Sequence, residues 1–519
     1  LPAECAADPD REALELNPID PAFWPYFALY ALAWWLAFEL IQERRNPKST
    51  IAWIVALIFT PFVGIPLYYI FGKNRIKGLM RRRAHFDQHA ISPHTHSLDD
   101  LVRQPAIREN LAGLMRGLTQ EELPVPENLA EMACAFGRFG DLHDPSRNSV
   151  KLLVDGEDTF KEIFSAISAA QHYILVQYYI LRSDRLGLEL QKLLIAKARS
   201  GVAVHVIYDD IGSFWLPKAY IRDLKAAGIA VASFLPIHSW KRGLQLNFRN
   251  HRKLVVVDGE IALTGGLNFG EEYVSGLPLF DKADTSRWRD THVKIKGPAV
   301  TRLEDVFFDD WHFATGESLE DALRARHVPQ FSEHPGEVVQ VIPSGPTDEA
   351  LVGVLLYMMT IQKARRRLWI ATPYFVPDTP LTRALELCTL RGVDVRILLP
   401  RRSDNKLVHW VGVTYAAKLR KAGVRVLFYE PGFMHQKVVL VDDDMCLIGT
   451  TNFDNRALYL NFETTLVIHG RDFARKVDSM LTLDMAESCA SLDPEPAGRI
   501  GKFLQTQKEN LSRLLAPLL

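Results

Sequence analysis

Two histidines carry the most specific chemistry written into this chain. His251 opens the run His251-Arg252-Lys253-Leu254-Val255-Val256-Val257-Asp258, with Gly265, Gly266 and Asn268 beyond it. His435 opens a second run, His435-Gln436-Lys437-Val438-Val439-Leu440-Val441-Asp442, with Gly449 and Asn452 beyond it. Lys stands at +2, Asp at +7, Gly at +14 and Asn at +17 in both. A lone His-x-Lys says little, because a single histidine is most often an ordinary polar residue. Two copies with four shared offsets say much more. One imidazole can attack phosphorus and split a phosphodiester exchange into two easier steps. A second can protonate the departing alkoxide and then deprotonate the incoming alcohol. Lys253, Lys437, Asn268 and Asn452 are the candidates for holding the phosphoryl oxygens as charge develops on them. Each half supplies one such histidine, so the halves have to face each other.

The six motif residues His251, Lys253, Asp258, His435, Lys437 and Asp442 form the candidate catalytic set. Strand alternation puts His and Lys of each copy on one face. On that strand the Asp at +7 faces away from His and ends an apolar run, which suits capping the next turn or bonding neighbouring backbone. Gly265, Gly266 and Gly449 suit close backbone approaches. Asp290, in RDTHVKI, and Glu463, in FETTLVI, open the next strand of each half. A carboxylate there can accept a histidine's second ring N–H and set its tautomer; an acid at an exposed strand start is the alternative. The five cysteines (5, 134, 388, 446, 489) lack CxxC spacing, so neither a metal site nor a disulfide framework is expected. No GxxxxGK[ST] loop or dinucleotide fingerprint occurs, and no cofactor is expected.

The positioning elements also come twice. VKLLVDGEDTF (150–160), HYILVQYYIL (172–181), GVAVHVIYDD (201–210) and AGIAVASFLP (227–236) are matched by VVQVIPSGPTDEA (338–350), RLWIATPYFVP (367–377), GVDVRILLP (392–400) and AGVRVLFYEP (422–431). Stretches of helical period such as Leu188–Ala198 and Pro380–Leu390 separate these β-branched runs, which reads as α/β layering with crossover helices. Gly201, Gly228, Gly392 and Gly423 stand where helices end before strands. A repeat of about 180 residues means duplicated domains rather than a solenoid. The expected domains are 149–322 and 337–519. Tyr178, Tyr179, Tyr374 and Phe375 are candidates for walling the cleft, with core packing the alternative. Segment 237–250, which mixes Trp240, Leu244, Leu246 and Phe248 with Lys241, Arg242 and Arg249, reads as an interfacial or basic surface loop.

Upstream, an acidic segment (1–21) precedes a region of membrane character (22–72) and a basic and polar connector (73–148). Ala22–Leu40 carries Glu39 as its only charge, and Ile51–Phe71 is 21 residues with none. A spanning helix needs about 20 such residues. Trp24, Trp34, Trp35, Tyr68 and Tyr69 suit interfacial belts. Pro61, Gly64 and Pro66 weaken a straight second helix, so a re-entrant hairpin stands beside two full spans. Six cations from Lys73 to Arg83, with no acid among them, favour the cytoplasmic side for all that follows, although Arg44, Arg45 and Lys48 in the short loop oppose it. Arg81–Arg83 can serve topology or hold anionic headgroups. Across 519 residues, Lys+Arg 61 against Asp+Glu 62 leaves a net charge of -1, hence no global field for nucleic acid.

The doubled His-x-Lys-x4-Asp pattern resembles the phospholipase D superfamily over about residues 150–519. RRNPKSTIAWI (44–54), TPFVGIPLYYIFG (60–72), QYYIL (177–181), TPYFVP (372–377), GFMHQK (432–437) and RLLAPLL (513–519) resemble bacterial cardiolipin synthases in particular. The resemblance implies two α/β domains in pseudo-twofold arrangement, behind an N-terminal membrane hairpin of helices, with one active site between the domains. It implies a phosphatidyl-histidine on His251, His435 as general acid and base, Glu463 orienting His251 and Asp290 orienting His435. The implied reaction joins two phosphatidylglycerol molecules into cardiolipin and releases glycerol, without metal or organic cofactor. The implied setting is the bacterial inner membrane, multi-pass, with anionic lipid as partner and homo-oligomers open. A hydrolytic phospholipase D or another phosphodiesterase would use the same residues.

Overall fold

The computed structural model describes residues 23–42, 47–72, 146–236, 247–274, 288–329, 331, 336–348, 351–490, 501 and 507. The acidic segment, the connector up to 145, Arg44, Arg45, Arg81–Arg83 and the loop residues 237–246 lie outside these. The chain divides into two compact units, Leu1–Arg75 and Ile76–Leu519.

In the first unit, the helix Phe23–Gln42 is followed by Pro47–Phe59, Pro61–Leu67 and a π turn at Tyr68–Gly72. Among the described residues one helix, Trp24–Gln42, is long and apolar enough to cross a membrane. The second apolar segment is broken rather than straight. Pro61 lacks an N–H to continue the ladder, and Thr60 leaves helical geometry at φ -135°, ψ 57°. Leu36, Leu40, Leu57 and Tyr68 turn inward, whereas Trp24, Trp34, Trp35 and Phe38 face outward. Tyr68 is thus a packing residue against Trp53, with ring centroids 5.6 Å apart, and not part of an interfacial belt.

In the second unit, the first half contributes β1 (Ser146–Val154), β2 (Tyr173–Tyr178), β3 (Ala203–Asp209), β4 (Ala230–Phe234), β5 (Arg249–Asn250), β6 (Leu254–Val257), β7 (Ile261–Gly265) and β8 (Thr291–Lys296). The second half contributes β9 (Glu337–Ser344), β10 (Arg367–Ala371), β11 (Phe375–Val376), β12 (Asp394–Pro400), β13 (Arg425–Tyr429), β14 (Val438–Val441), β15 (Met445–Gly449), β16 (Phe453–Asp454), β17 (Asn461–His469) and β18 (Ser488–Cys489). The main sheet runs β18-β13-β12-β10-β14-β15-β17-β9-β1-β8-β7-β6-β2-β3-β4. Read outward from the β9–β1 seam, the two lobes repeat one order. The seam pair is antiparallel, Ser146 opposite Val339 and Asn148 opposite Glu337. Two equivalent strands paired antiparallel relate their lobes by a local twofold.

The local reasons are ordinary ones. β6 (LVVV) and β14 (VVLV) are buried at all four positions, as a β-branched run between two layers should be. The crossover helix Arg185–Arg199 buries Leu186, Leu190 and Leu194 at fourfold spacing, and its N-cap Asp184 accepts from Gly187 N. Each such leucine taken from water is worth about 1.5–3 kcal/mol. Gly201 (φ 94°) and Gly392 (φ 83°) end helices in the left-handed region before β3 and β12.

Candidate active site

Each His-x-Lys lies just before its strand, not on it: β6 begins at Leu254 and β14 at Val438. The strand assignment is corrected, although Lys437 Nζ does lie 2.8 Å from the His435 ring, and the cause is bonding across the seam. His251 N donates to Phe462 O at 2.9 Å, and His435 N donates to Arg289 O at 2.7 Å. The opposite lobe therefore holds each motif's backbone. Lys253 Nζ reaches back to His251 O at 2.6 Å, and Lys437 Nζ likewise donates to His435 O.

Each histidine meets an acid from the other lobe. His251 Nδ1 lies 3.0 Å from Glu463 Oε2 and 3.1 Å from Thr450 O. Both neighbours only accept, so Nδ1 carries the proton and Nε2 keeps its lone pair. Glu463 is fully buried, held by Thr450 Oγ1 at 2.5 Å and Asn461 Nδ2 at 3.1 Å. His435 Nδ1 lies 2.8 Å from Asp290 Oδ2. Thr291 N donates to Asp290 Oδ1 at 2.8 Å, and Lys437 Nζ stands 3.7 Å from Oδ2. Tyr273 Oη lies 3.4 Å from His435 Nδ1 and accepts from Asn268 Nδ2 at 3.2 Å.

The site is buried, with both lysines and both carboxylates enclosed together. Burial pushes His251 down to about 4, with Lys253 and Lys437 adding to it against the pull of Glu463. His435 is driven well below the usual histidine range by burial first, then by Lys437, Lys253 and His251. Each imidazole thus senses both lysines, so the four groups share one field. Burial lowers Lys437 to about 8 against Asp290 and Glu463. Lys253 falls well below its ordinary value for the same first reason. Burial also lifts Asp290 to about 6, with Lys437 opposing. A phosphodiester anion entering here would favour protonation of every one of these bases. Asn268 Oδ1 and Asn452 Oδ1 are buried without a protein partner, an incompleteness that a donating hydroxyl of a glycerol headgroup can relieve. The phosphoryl oxygens need the Nδ2 side of each amide.

Asp258 and Asp442 stand apart from the two histidines and bond to backbone amides. Both close the far ends of their strands, seven residues and roughly 23 Å of extended chain from the histidines. Asp258 accepts from Gln171, His172 and Tyr173 N, each at 2.8 Å. Asp442 Oδ1 accepts from Arg366 N at 2.7 Å and Arg367 N at 3.0 Å. Their φ of 54° and 49° marks turn residues that clamp the neighbouring strand. Of the cleft aromatics, Tyr179 packs edge-on to His251 with ring centroids 5.0 Å apart, and Tyr374 to His435 at 6.2 Å. Tyr178 and Phe375 are core residues. Phe248 and Arg249 are buried as well, so that end of segment 237–250 is not a surface loop.

Residues that motif reading missed complete the site. Arg252 sends Nη1 to Asp310 Oδ1 at 2.6 Å and Nε across the seam to Glu463 O at 3.0 Å. In the other motif Gln436 bonds Asp484 at 3.1 Å, and Arg289, beside Asp290, also pairs with Asp484 at 2.8 Å. The arginine has changed places between the copies. It sits inside the motif in the first and beside the opposing acid in the second, where Phe462 is its counterpart. Aligning the copies beyond the matched offsets would have exposed that exchange. Gly266 corresponds to Thr450, and a Cβ there would lie 2.0 Å from Asp290 Oδ1. Gly266→Ala is expected to displace Asp290 and lower turnover about 100-fold. The overpacking should also cost about 1–3 kcal/mol of stability, so turnover is compared at a temperature where circular dichroism shows the variant folded.

Comparison with known proteins places this geometry. The family described as "Cardiolipin synthase, PLD-like domain" matches residues 163–311 and 357–484. The family described as "Phospholipase_D-nuclease N-terminal" matches 31–73. The duplicated lobes and paired histidines define a phospholipase D-like protein, and phosphatidylserine synthase of Haemophilus influenzae shares the fold. The two align with a TM-score of 0.53 at 17% identity, over 71% of this chain and 95% of that one. Cardiolipin synthase A of Pseudomonas putida strain W619 is 38% identical over 93% of this chain and 95% of its own length. That of Pseudomonas syringae pv. syringae strain B728a is 38% identical over 96% and 99%. The chain belongs to the cardiolipin synthase family.

Proposed function

We infer that this chain is a membrane-bound phosphatidyltransferase that makes cardiolipin and glycerol from two phosphatidylglycerol molecules. Near full-length likeness to cardiolipin synthases supports the substrate and product. The observation that carries the mechanism is the environment of His251 Nδ1, which faces only acceptors and so leaves Nε2 nucleophilic. His251 attacks phosphorus while His435 gives its proton to the departing glycerol oxygen, leaving a phosphatidyl-histidine. His435 then takes a proton from the headgroup hydroxyl of a second phosphatidylglycerol. That oxygen attacks phosphorus and frees His251. One phosphodiester replaces another, so no nucleotide is consumed. Lys253, Lys437, Asn268 and Asn452 hold the phosphoryl oxygens, and Glu463 and Asp290 set the two imidazoles. Both histidines come from one chain, so the site needs no homo-oligomer, and the balanced net charge offers nucleic acid nothing.

The apolar helix and the cations after residue 72 support a setting in the bacterial inner membrane, with two membrane segments and both lobes on the cytoplasmic face. Purified full-length chain with phosphatidylglycerol in detergent is expected to yield cardiolipin and glycerol in equal amounts. Phosphatidic acid as sole lipid product would sink the transferase reading in favour of hydrolysis. Glu463→Gln places an amide where His251 needs an acceptor, and a drop of about 100-fold or more in kcat with KM little changed is expected. Wild-type kinetics in that variant would return Glu463 to a structural role.

A further inference from the structure

We propose that Phe214 and Trp215 of the first lobe, with Leu407 and Trp410 of the second, insert into the interfacial layer of an anionic phospholipid bilayer and seat the cleft mouth on it. This goes beyond the transfer reaction but rests on the reading that the cleft takes lipid. Trp215 is 83% exposed and Phe214 61%, Trp410 49% and Leu407 39%. Exposure alone decides nothing, because single apolar surface residues are common and Leu390, just before the N-terminal end of β12, is 80% exposed. Position distinguishes the two pairs.

β3 and β12 hold the same place in the two lobes, and each pair follows the C-terminal end of one of them. In the first lobe Ser213 Oγ donates to Tyr179 O at 3.0 Å, and a Cβ on Gly212 would lie 2.6 Å from the Tyr179 ring. That ring touches His251. In the second lobe Tyr374 Oη donates to Asp404 Oδ1 at 2.7 Å, and that ring touches His435. Each apolar pair therefore follows, within a few residues, a loop residue bonded to the tyrosine that packs on a histidine.

The loops are braced to present these side chains. Asp209 Oδ1 accepts from Ile211 N at 2.9 Å and Gly212 N at 3.0 Å. Asn405 Oδ1 caps the helix Lys406–Lys421 through Leu407 N and Val408 N, both at 3.2 Å. Lys218, Arg402 and Lys406 are exposed beside the pairs. Tryptophan flanked by cations is the composition that an anionic headgroup layer accepts. A substrate whose acyl chains stay in the bilayer can enter a cleft held in this way without crossing water.

The test uses full-length chain with Cys5, Cys134 and Cys489 changed to Ser, Cys388 and Cys446 being buried. One cysteine is introduced at a time, Trp215→Cys, Trp410→Cys or Leu390→Cys, and labelled with an environment-sensitive fluorophore. Each protein is reconstituted in vesicles of phosphatidylglycerol and phosphatidylethanolamine in equal parts. At 215 and 410, quenching by lipid-borne nitroxide is expected to exceed that at 390 by about fivefold, with the reverse for aqueous iodide. Phe214→Ser should draw the probe at 215 back toward water, and vesicles of phosphatidylcholine alone should weaken its lipid quenching about threefold. Equal iodide access at all three positions would overturn the proposal. So would a probe shielded from iodide yet untouched by the nitroxide lipid, which would mean burial against a second copy of the chain. Depth is read without turnover, so a failed cardiolipin assay would remove the reaction and leave this result standing.

Discussion

Replacing His251 by Ala is expected to lower cardiolipin formation about 10⁴-fold or more, with the fold and membrane extraction unchanged. The residue is buried at 8% exposure against Tyr179, Glu463 and Thr450 O, so Ala leaves a small cavity and an unpaired carboxylate, and circular dichroism must confirm the fold. What is lost is the atom that attacks phosphorus. The remaining route needs one glycerol hydroxyl to displace another directly, at a diester carrying a negative charge, with only positioning and the two lysines to help. Its neighbours sharpen the expectation. Glu463, Thr450 O and the depressed basicity of His251 leave an unprotonated Nε2 over the whole range above about pH 4. The wild-type acid limb of kcat/KM should therefore fall well below 6.5, and the limb that belongs to His251 should be missing from the residual rate of His251→Ala. Denaturing a wild-type reaction in mid-turnover should release a peptide around residue 251 that carries the phosphatidyl group. Wild-type rates in His251→Ala, or the lipid trapped on His435, would reverse the assignment.

Much of this arrangement was legible in the residue order. The four shared offsets placed both histidines, both lysines and both asparagines, and duplication alone required the lobes to meet. The β-branched runs marked nearly every long strand, because strands buried on both faces tolerate little else. Glycines in the left-handed region marked the helix ends for a similarly local reason. Legibility failed where partners come from far along the chain. Whether Asp290 and Glu463 were surface acids or histidine partners depended on contacts 145 and 212 residues distant. The strand assignment for His-x-Lys failed because seam bonds to Phe462 and Arg289 hold that backbone. Periodicity describes a strand within its own sheet and carries no record of a neighbour that captures its end. The Asp at +7 showed the reverse case. Strand alternation already turned it from the histidine, and its three amide donors lie at one adjacent strand end. The exchanged arginines, 252 and 289, were hidden for a third reason. They break the repeat, and a search for matching offsets passes over positions that differ.

His435→Ala should lose about 10²–10⁴-fold in turnover, less than His251→Ala, and should fail in a different way. Without His435 the nucleophile is intact, but glycerol must leave as an alkoxide. Its poor leaving ability then limits the first step. A phosphatidyl ester of p-nitrophenol needs no protonation on departure, so that substrate should restore the first step in His435→Ala. The second step still lacks a base for the incoming hydroxyl, and phosphatidyl-His251 should accumulate after one burst of p-nitrophenol. His251→Ala should give no burst with either substrate. The contrast follows from geometry: His251 Nδ1 meets acceptors only, whereas His435 Nδ1 sits among Asp290, Lys437 and Tyr273 Oη. That second setting mixes donors with acceptors and suits a ring whose proton comes and goes within each cycle. Burial lifts Asp290, the carboxyl bonded to that ring, to about 6. If activated ester failed to rescue His435→Ala, proton transfer to the leaving group would not be what that histidine contributes, and the division of labour between the lobes would have to be redrawn.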